Sequence, residues 1–218
     1  MSNIIDADSA RKLAGLQIDL LQKFRAGQLT LEQLNWFLGL SVSQREVFAF
    51  STLDAFSNFF PAWRTVKLGT GLLTGRDFHT AFAESSFGVS VGALRIFDQP
   101  AIKVIALETE VTLVLATPAE LGFSGGAALA EIYMRAGGIG LELCPPEVGP
   151  QLRLQYPDQP EGEHLIVGMD PVVSGLNTGG CFVFGLVNKG GGLLLSVTDA
   201  RPDHVWDAGR RFVFVRPE

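Results

Sequence analysis

Apolar positions recur at helical spacing through the first third of the chain. Leu13, Leu16, Leu20, Leu21 and Phe24 fall on one helical face, with Asp6 or Asp8 as N-cap and Gly27 as the stop. Thr30 and Gln33 form a capping box for a second helix. Its apolar face is Leu31, Leu34, Phe37 and Leu38, and Gly39 ends it. Ser43 and Glu46 form another box, which predicts a third helix. Phe48, Phe56, Phe59, Phe60 and Trp63 then make an aromatic stretch that Pro61 interrupts.

The centre alternates between the two periods. Helices are predicted over residues 75–84 and 89–97, and a buried strand over the β-branched run 110–117. Thr117-Pro118-Ala119-Glu120 reads as a helix start: N-cap, proline at the first helical position, carboxylate at the third. Ala128, Ile132, Tyr133 and Ala136 mark a further helix, ended by Gly137 and Gly138. The last third reads as a meander, with strands at 164–169, 182–187, 193–198 and 212–215. The loop Asn188-Lys189-Gly190-Gly191-Gly192 tolerates the positive φ of a tight hairpin. Strands joined without helical crossovers are expected to be antiparallel neighbours. The fold class is therefore α+β: a helical N-terminal region over 1–64, then an α+β domain over 65–218. That domain is expected to be a mainly antiparallel sheet with helices on one side.

Composition narrows the function classes. With 218 residues and 47% hydrophobic positions, a sizeable core can form. A net charge of −6 argues against a partner held by its phosphate backbone, because such affinity comes from clustered Lys and Arg. The acidic start, Met1 to Asp8, lacks the basic and apolar regions of a signal peptide. The run 111–116 is too short to span a bilayer. Cys144 and Cys181 are too few for a disulfide-stapled secreted domain. These features together predict a cytoplasmic protein.

Candidate chemistry is sparse. Residues 30–47 have the outline of a helix-turn-helix, but Asn35 stands where the crossing helices need a small residue. Arg45 stands where an apolar one should pack back. Gly69-Thr70-Gly71 with Gly75 has the wrong spacing for a phosphate-cradling loop and reads as a turn. His79, His164 and His204 lie in separate elements, so no metal ligand set is expected, and no cofactor is implied. Asp203-His204 with Asp207 is the densest polar cluster, in a loop where solvated residues are usual. Cys144, beside Leu143 and Pro145, reads as a buried small hydrophobe.

The richest stretch is 143–169, where polar groups are interleaved with five prolines that would hold a rigid loop. Its catalytic candidates are Glu147, Asp158, Glu163 and His164; a pair such as Glu147 and Glu163 could serve as acid and base. Its binding candidates are Arg153, Tyr156 and Gln159. The competing structural reading has Arg153 bridging carboxylates and Glu147 capping a short helix.

The segments 119–123, 141–145 and 147–156, with Asp158-Gln159-Pro160, Gly162-Glu163, Met169 and the terminal 211–216, resemble a family of uncharacterised bacterial proteins. Pro146 stands where that family has a small residue. His164 stands where it has an aromatic or apolar one, which counts against a catalytic His164. The resemblance covers the last half to two thirds of the chain. It implies one folding unit from the central strand to the C-terminus, and it implies no activity. Three functions are consistent with the sequence: a non-catalytic protein that binds a protein or small molecule, a small hydrolase-like enzyme using carboxylates of 147–163, or a DNA-binding regulator through 30–47. Exposed phenylalanines would fit a homo-oligomer.

Overall fold

The computed structural model describes residues 60–173, 180–190 and 192–217. The three N-terminal helices expected from the sequence, their capping boxes, the helix-turn-helix outline at 30–47 and the phenylalanines up to Phe59 lie outside them. The first strand, β1 (Arg64–Leu68), alternates its side chains, with Val66 and Leu68 buried. Helix α1 (Gly75–Glu84) starts at Thr74, whose hydroxyl accepts from the Asp77 amide while Asp77 returns the bond to the Thr74 N–H. Strand β2 (Gly88–Val89) and helix α2 (Val91–Phe97) follow, then β3 (Thr109–Ala116).

The capping box at Thr117 also forms: Glu120 accepts from the Thr117 amide at 2.7 Å. It caps a single turn and no helix. Gly122 turns to φ +97° and the Phe123 amide reaches back to the Pro118 carbonyl at 2.7 Å, so the chain leaves after one turn. A short β4 (Ala127–Ala128) leads into α3 (Leu129–Gly138). The proline-rich stretch expected to be a rigid loop contains a helix, α4 (Val148–Gln155). Pro150 sits in its first turn, where its missing N–H would have had no partner within the helix. The remaining strands are β5 (His164–Val167), β6 (Val172–Val173), β7 (Cys181–Lys189), β8 (Gly192–Asp199), β9 (Val205–Trp206) and β10 (Arg211–Arg216).

These form a mixed, mostly antiparallel sheet in the order β1-β3-β10-β5-β7-β8-β2, with β6 also pairing β7 and β4 pairing β9 separately. The β7–β8 hairpin is antiparallel as expected. Two pairings are parallel, contrary to the meander reading: β10 with β5 and β2 with β8. Residues 168–210 supply the crossover between β5 and β10, and the described ones among them hold strands and no helix.

The sheet is covered on both faces, not one. Phe97 of α2 lies 5.7 Å from Phe184, and Gly149 of α4 lies so close to Phe184 that a Cβ there would stand 2.5 Å from its ring. On the other face Tyr133 of α3 meets Phe214 at 6.1 Å, and Trp206 meets Phe212 at 5.0 Å. Phe184, Phe212 and Phe214 are all fully buried, so each face carries its own apolar layer.

Candidate functional site

The polar face of α4 is built by one helical period. Glu147, Gln151 and Gln155 stand four residues apart and share a side of the helix. That side meets β1 and the loop after it. Glu147 is fully buried, and its two carboxylate oxygens accept from the Gly69 and Ile105 amides, each at 2.8 Å. The glycine loop therefore does present an N–H to an anion, and the anion is the chain's own carboxylate. Gly69 is held at φ +67° with the Leu107 carbonyl 2.3 Å from where a Cβ would be, so only glycine fits. Gln151 donates to Thr70 Oγ1 at 2.7 Å. Gln155 pairs with Lys67 as a strand would, accepting from its amide at 3.0 Å and donating to its carbonyl at 2.8 Å.

Arg153 is fully buried beside this face. It does not bridge carboxylates: it donates to Gln159 Oε1 and to the Tyr156 carbonyl, with its guanidinium 5.0 Å over the Phe87 ring. Burial brings its pKa down to about 10, partly offset by Tyr156 and Glu163, so it stays charged at neutral pH. Gln159 donates onward to the Glu163 and Leu186 carbonyls, and Asn188 donates to the Gln159 carbonyl at 2.6 Å. The Tyr156 hydroxyl donates to Glu163 Oε2 at 2.9 Å, and burial followed by Glu163 pushes its pKa up to about 12. Glu147 makes no side-chain cap to α4, because its oxygens are taken by the two loops. Asp158 is 70% exposed and pairs with Arg64 at 3.1 Å.

Glu163, at the end of this network, and His164 line the rim of an open cleft of about 570 Å³, together with residues 160–162, 207 and 209–211. Two turns make its walls. Glu163 N–H closes one onto the Pro160 carbonyl at 3.1 Å, and Arg210 N–H closes the other onto Asp207 at 3.0 Å. They lie side by side because β5 and β10, which follow them, run parallel. Arg211 binds Glu163 Oε1 at 3.1 Å, so Glu163, only 8% exposed, has both oxygens engaged. Arg210 Nη1 lies 3.1 Å from His164 Nδ1. A guanidinium can only donate, so Nδ1 accepts and the ring proton sits on Nε2. Nε2 is buried without a partner, close to Gly185, Ser196 and Thr198. Burial and then Arg210 lower the His164 pKa, which keeps the ring neutral.

The structure thus brings Arg153, Tyr156, Gln159 and Glu163 together. Glu147 is held elsewhere, against the 69 and 105 loops, and does not meet Glu163. Arg210 and Arg211 were not singled out among the sequence candidates, and no local spacing could have paired Arg210 with a histidine 46 positions away. Among the described residues no group of three or more His, Cys, Asp or Glu side chains is placed to hold a metal ion. Nor, among them, is any helix long and apolar enough to cross a membrane. Comparison with known proteins finds no matching family model, no matching curated protein and no matching solved structure.

Proposed function

We propose that this chain is a non-catalytic binding protein whose contact site is the cleft between the 160–164 and 207–211 turns. The observation that carries the reading is Arg210: its guanidinium is aimed by a neutral imidazole and otherwise lies 3.9 Å from the exposed Asp207 carboxylate. Arg210 lines the cleft, and most of its donors have no acceptor among the described residues. The carboxylates that a hydrolase would use are already engaged. Glu147 accepts two amides, and Glu163 accepts Tyr156 and Arg211. The cleft volume suits a small molecule. Kinship with the uncharacterised bacterial family would leave this reading unchanged, since that family brings no activity.

Thermal melting of the full chain against a panel of small charged metabolites tests it. A ligand at about 100 times its Kd should raise Tm by about 5 °C or more, and Arg210→Ala should remove the rise. The Arg210 side chain is 34% exposed and rests on His164, so each protein's rise is read against its own ligand-free Tm. Ligand shifts that persist in Arg210→Ala would place the binding site elsewhere.

A further inference from the structure

The charges that line the cleft do not match a simple anion. Three carboxylates, Glu161, Glu163 and Asp207, stand against two guanidiniums, Arg210 and Arg211. A phosphate-rich ligand would meet net negative charge there. Glu163 and Arg211 cancel each other at 3.1 Å, with Glu163 sealed by Tyr156. Glu161 accepts from the Gly190 amide at 2.7 Å, which ties it to the hairpin end. It keeps its charge there, at the far end of the 160–164 turn, while Arg210 and Asp207 are the lining charges that stand next to each other. Asp207 is 89% exposed and stands 3.9 Å from Arg210, beyond hydrogen-bond length. One cation and one anion thus lie side by side as a loose ion pair, each with hydrogen-bonding capacity left over.

Resting on the binding reading above, we propose that the cleft takes a small zwitterion of the α-amino-acid type. Its carboxylate meets the Arg210 guanidinium and its ammonium meets the Asp207 carboxylate. The two charged groups of an α-amino acid are separated by one carbon, about 3 Å apart. That spacing lets one molecule bridge both side chains without moving either turn. A guanidinium binds a carboxylate through paired N–H donors, and four of its five donors remain after His164 takes one. His164 is a positioning residue. Its Nδ1 lone pair fixes the guanidinium plane, and its neutral ring adds no second positive charge to repel the ammonium. The rest of the cleft leaves the ligand's side chain open to solvent, so selectivity among amino acids should be low.

Calorimetric titration of the full chain tests the class of ligand. The probes are glycine, L-leucine, acetate, methylammonium and inorganic phosphate at equal ionic strength. Both amino acids should bind about tenfold or more tighter than acetate or methylammonium. Asp207→Asn should bring glycine down to the acetate level, and Arg210→Ala should bring it down to the methylammonium level and abolish acetate binding. If acetate or phosphate binds as well as glycine, or Asp207→Asn keeps the amino-acid preference, the zwitterion is wrong. The cleft reading then still stands as long as Arg210→Ala abolishes that binding. If neither amino acid binds, the zwitterion falls, and the metabolite panel decides the cleft separately.

Discussion

The α4 network and the cleft hold the same kinds of residue in opposite states. On α4, Glu147, Gln151 and Arg153 are buried, and the hydrogen bonds of Glu147 and Gln151 end on the chain itself. In the cleft, Asp207 is exposed and Arg210 half-buried, and both keep hydrogen-bonding capacity unused. Polar density in a sequence marks both equally. What separates a scaffold from a site is whether the donors and acceptors are already spent, and only the three-dimensional partners show that.

The largest expected effect breaks this comparison on the scaffold side. Glu147→Ala leaves the Gly69 and Ile105 amides buried or half-buried without an acceptor and opens a void beneath β1. It should cost about 3 kcal/mol in urea unfolding. Asp158→Asn, which loses only the exposed pair with Arg64, should cost about 0.5 kcal/mol or less. Equal costs for the two would mean that the α4 network is no more structural than a surface ion pair.

Gln155→Ala comes next, at about 1 kcal/mol. Its amide stands in for a neighbouring strand on the outer edge of β1, filling the Lys67 N–H and C=O. Removing it frees a sheet edge that can pair with another molecule. The variant should therefore associate at concentrations where the parent does not, as read by light scattering. A variant that loses stability but does not associate would leave the hydrogen bonds intact as an explanation and remove the edge-protection role.

Much of the sheet was legible because it rests on local signals. The β7–β8 hairpin was announced by its Asn- and Gly-rich connection, and helix α1 was expected over 75–84, although its capping pair, Thr74 and Asp77, was not singled out. The single turn after Thr117 shows the limit: the capping box was read correctly, but Gly122 stops the helix before it propagates. Helix α4 entered only through the structural reading, as a short helix begun at Glu147, because five prolines in one stretch looked like loop, whereas Pro150 falls in the one turn that tolerates it. The cleft was illegible for a topological reason. Its two turns are neighbours only through the parallel β5–β10 pairing, which no local pattern encodes and which the short connections argued against. Glu163 and His164 were singled out for their chemistry, yet the groups that define their surroundings, Arg210 and Arg211, come from the far end of that crossover.

The smallest expected effect sharpens the comparison on the cleft side. His164 has a folded pKa below its ordinary 6.5, from burial first and Arg210 second. The groups facing it are Arg210, with Asp207 beyond it, while Glu163 and Arg211 neutralise each other alongside. In the unfolded chain the ring protonates as pH falls through about 6.5; in the folded chain it resists, because a proton on Nδ1 would face a guanidinium. The unfolded state then binds more protons. The stability from the neutral ring is fully present above 6.5 and is lost progressively as pH falls toward the folded value. His164→Gln keeps an oxygen acceptor for Arg210 but cannot titrate. The difference in urea midpoint between parent and variant should therefore shift against the parent between about pH 7.5 and about pH 5. Because His79 and His204 are present in both proteins, subtraction isolates His164. A difference that stays constant with pH would mean that Arg210 does not rest on a neutral imidazole, and the aimed guanidinium would lose its support.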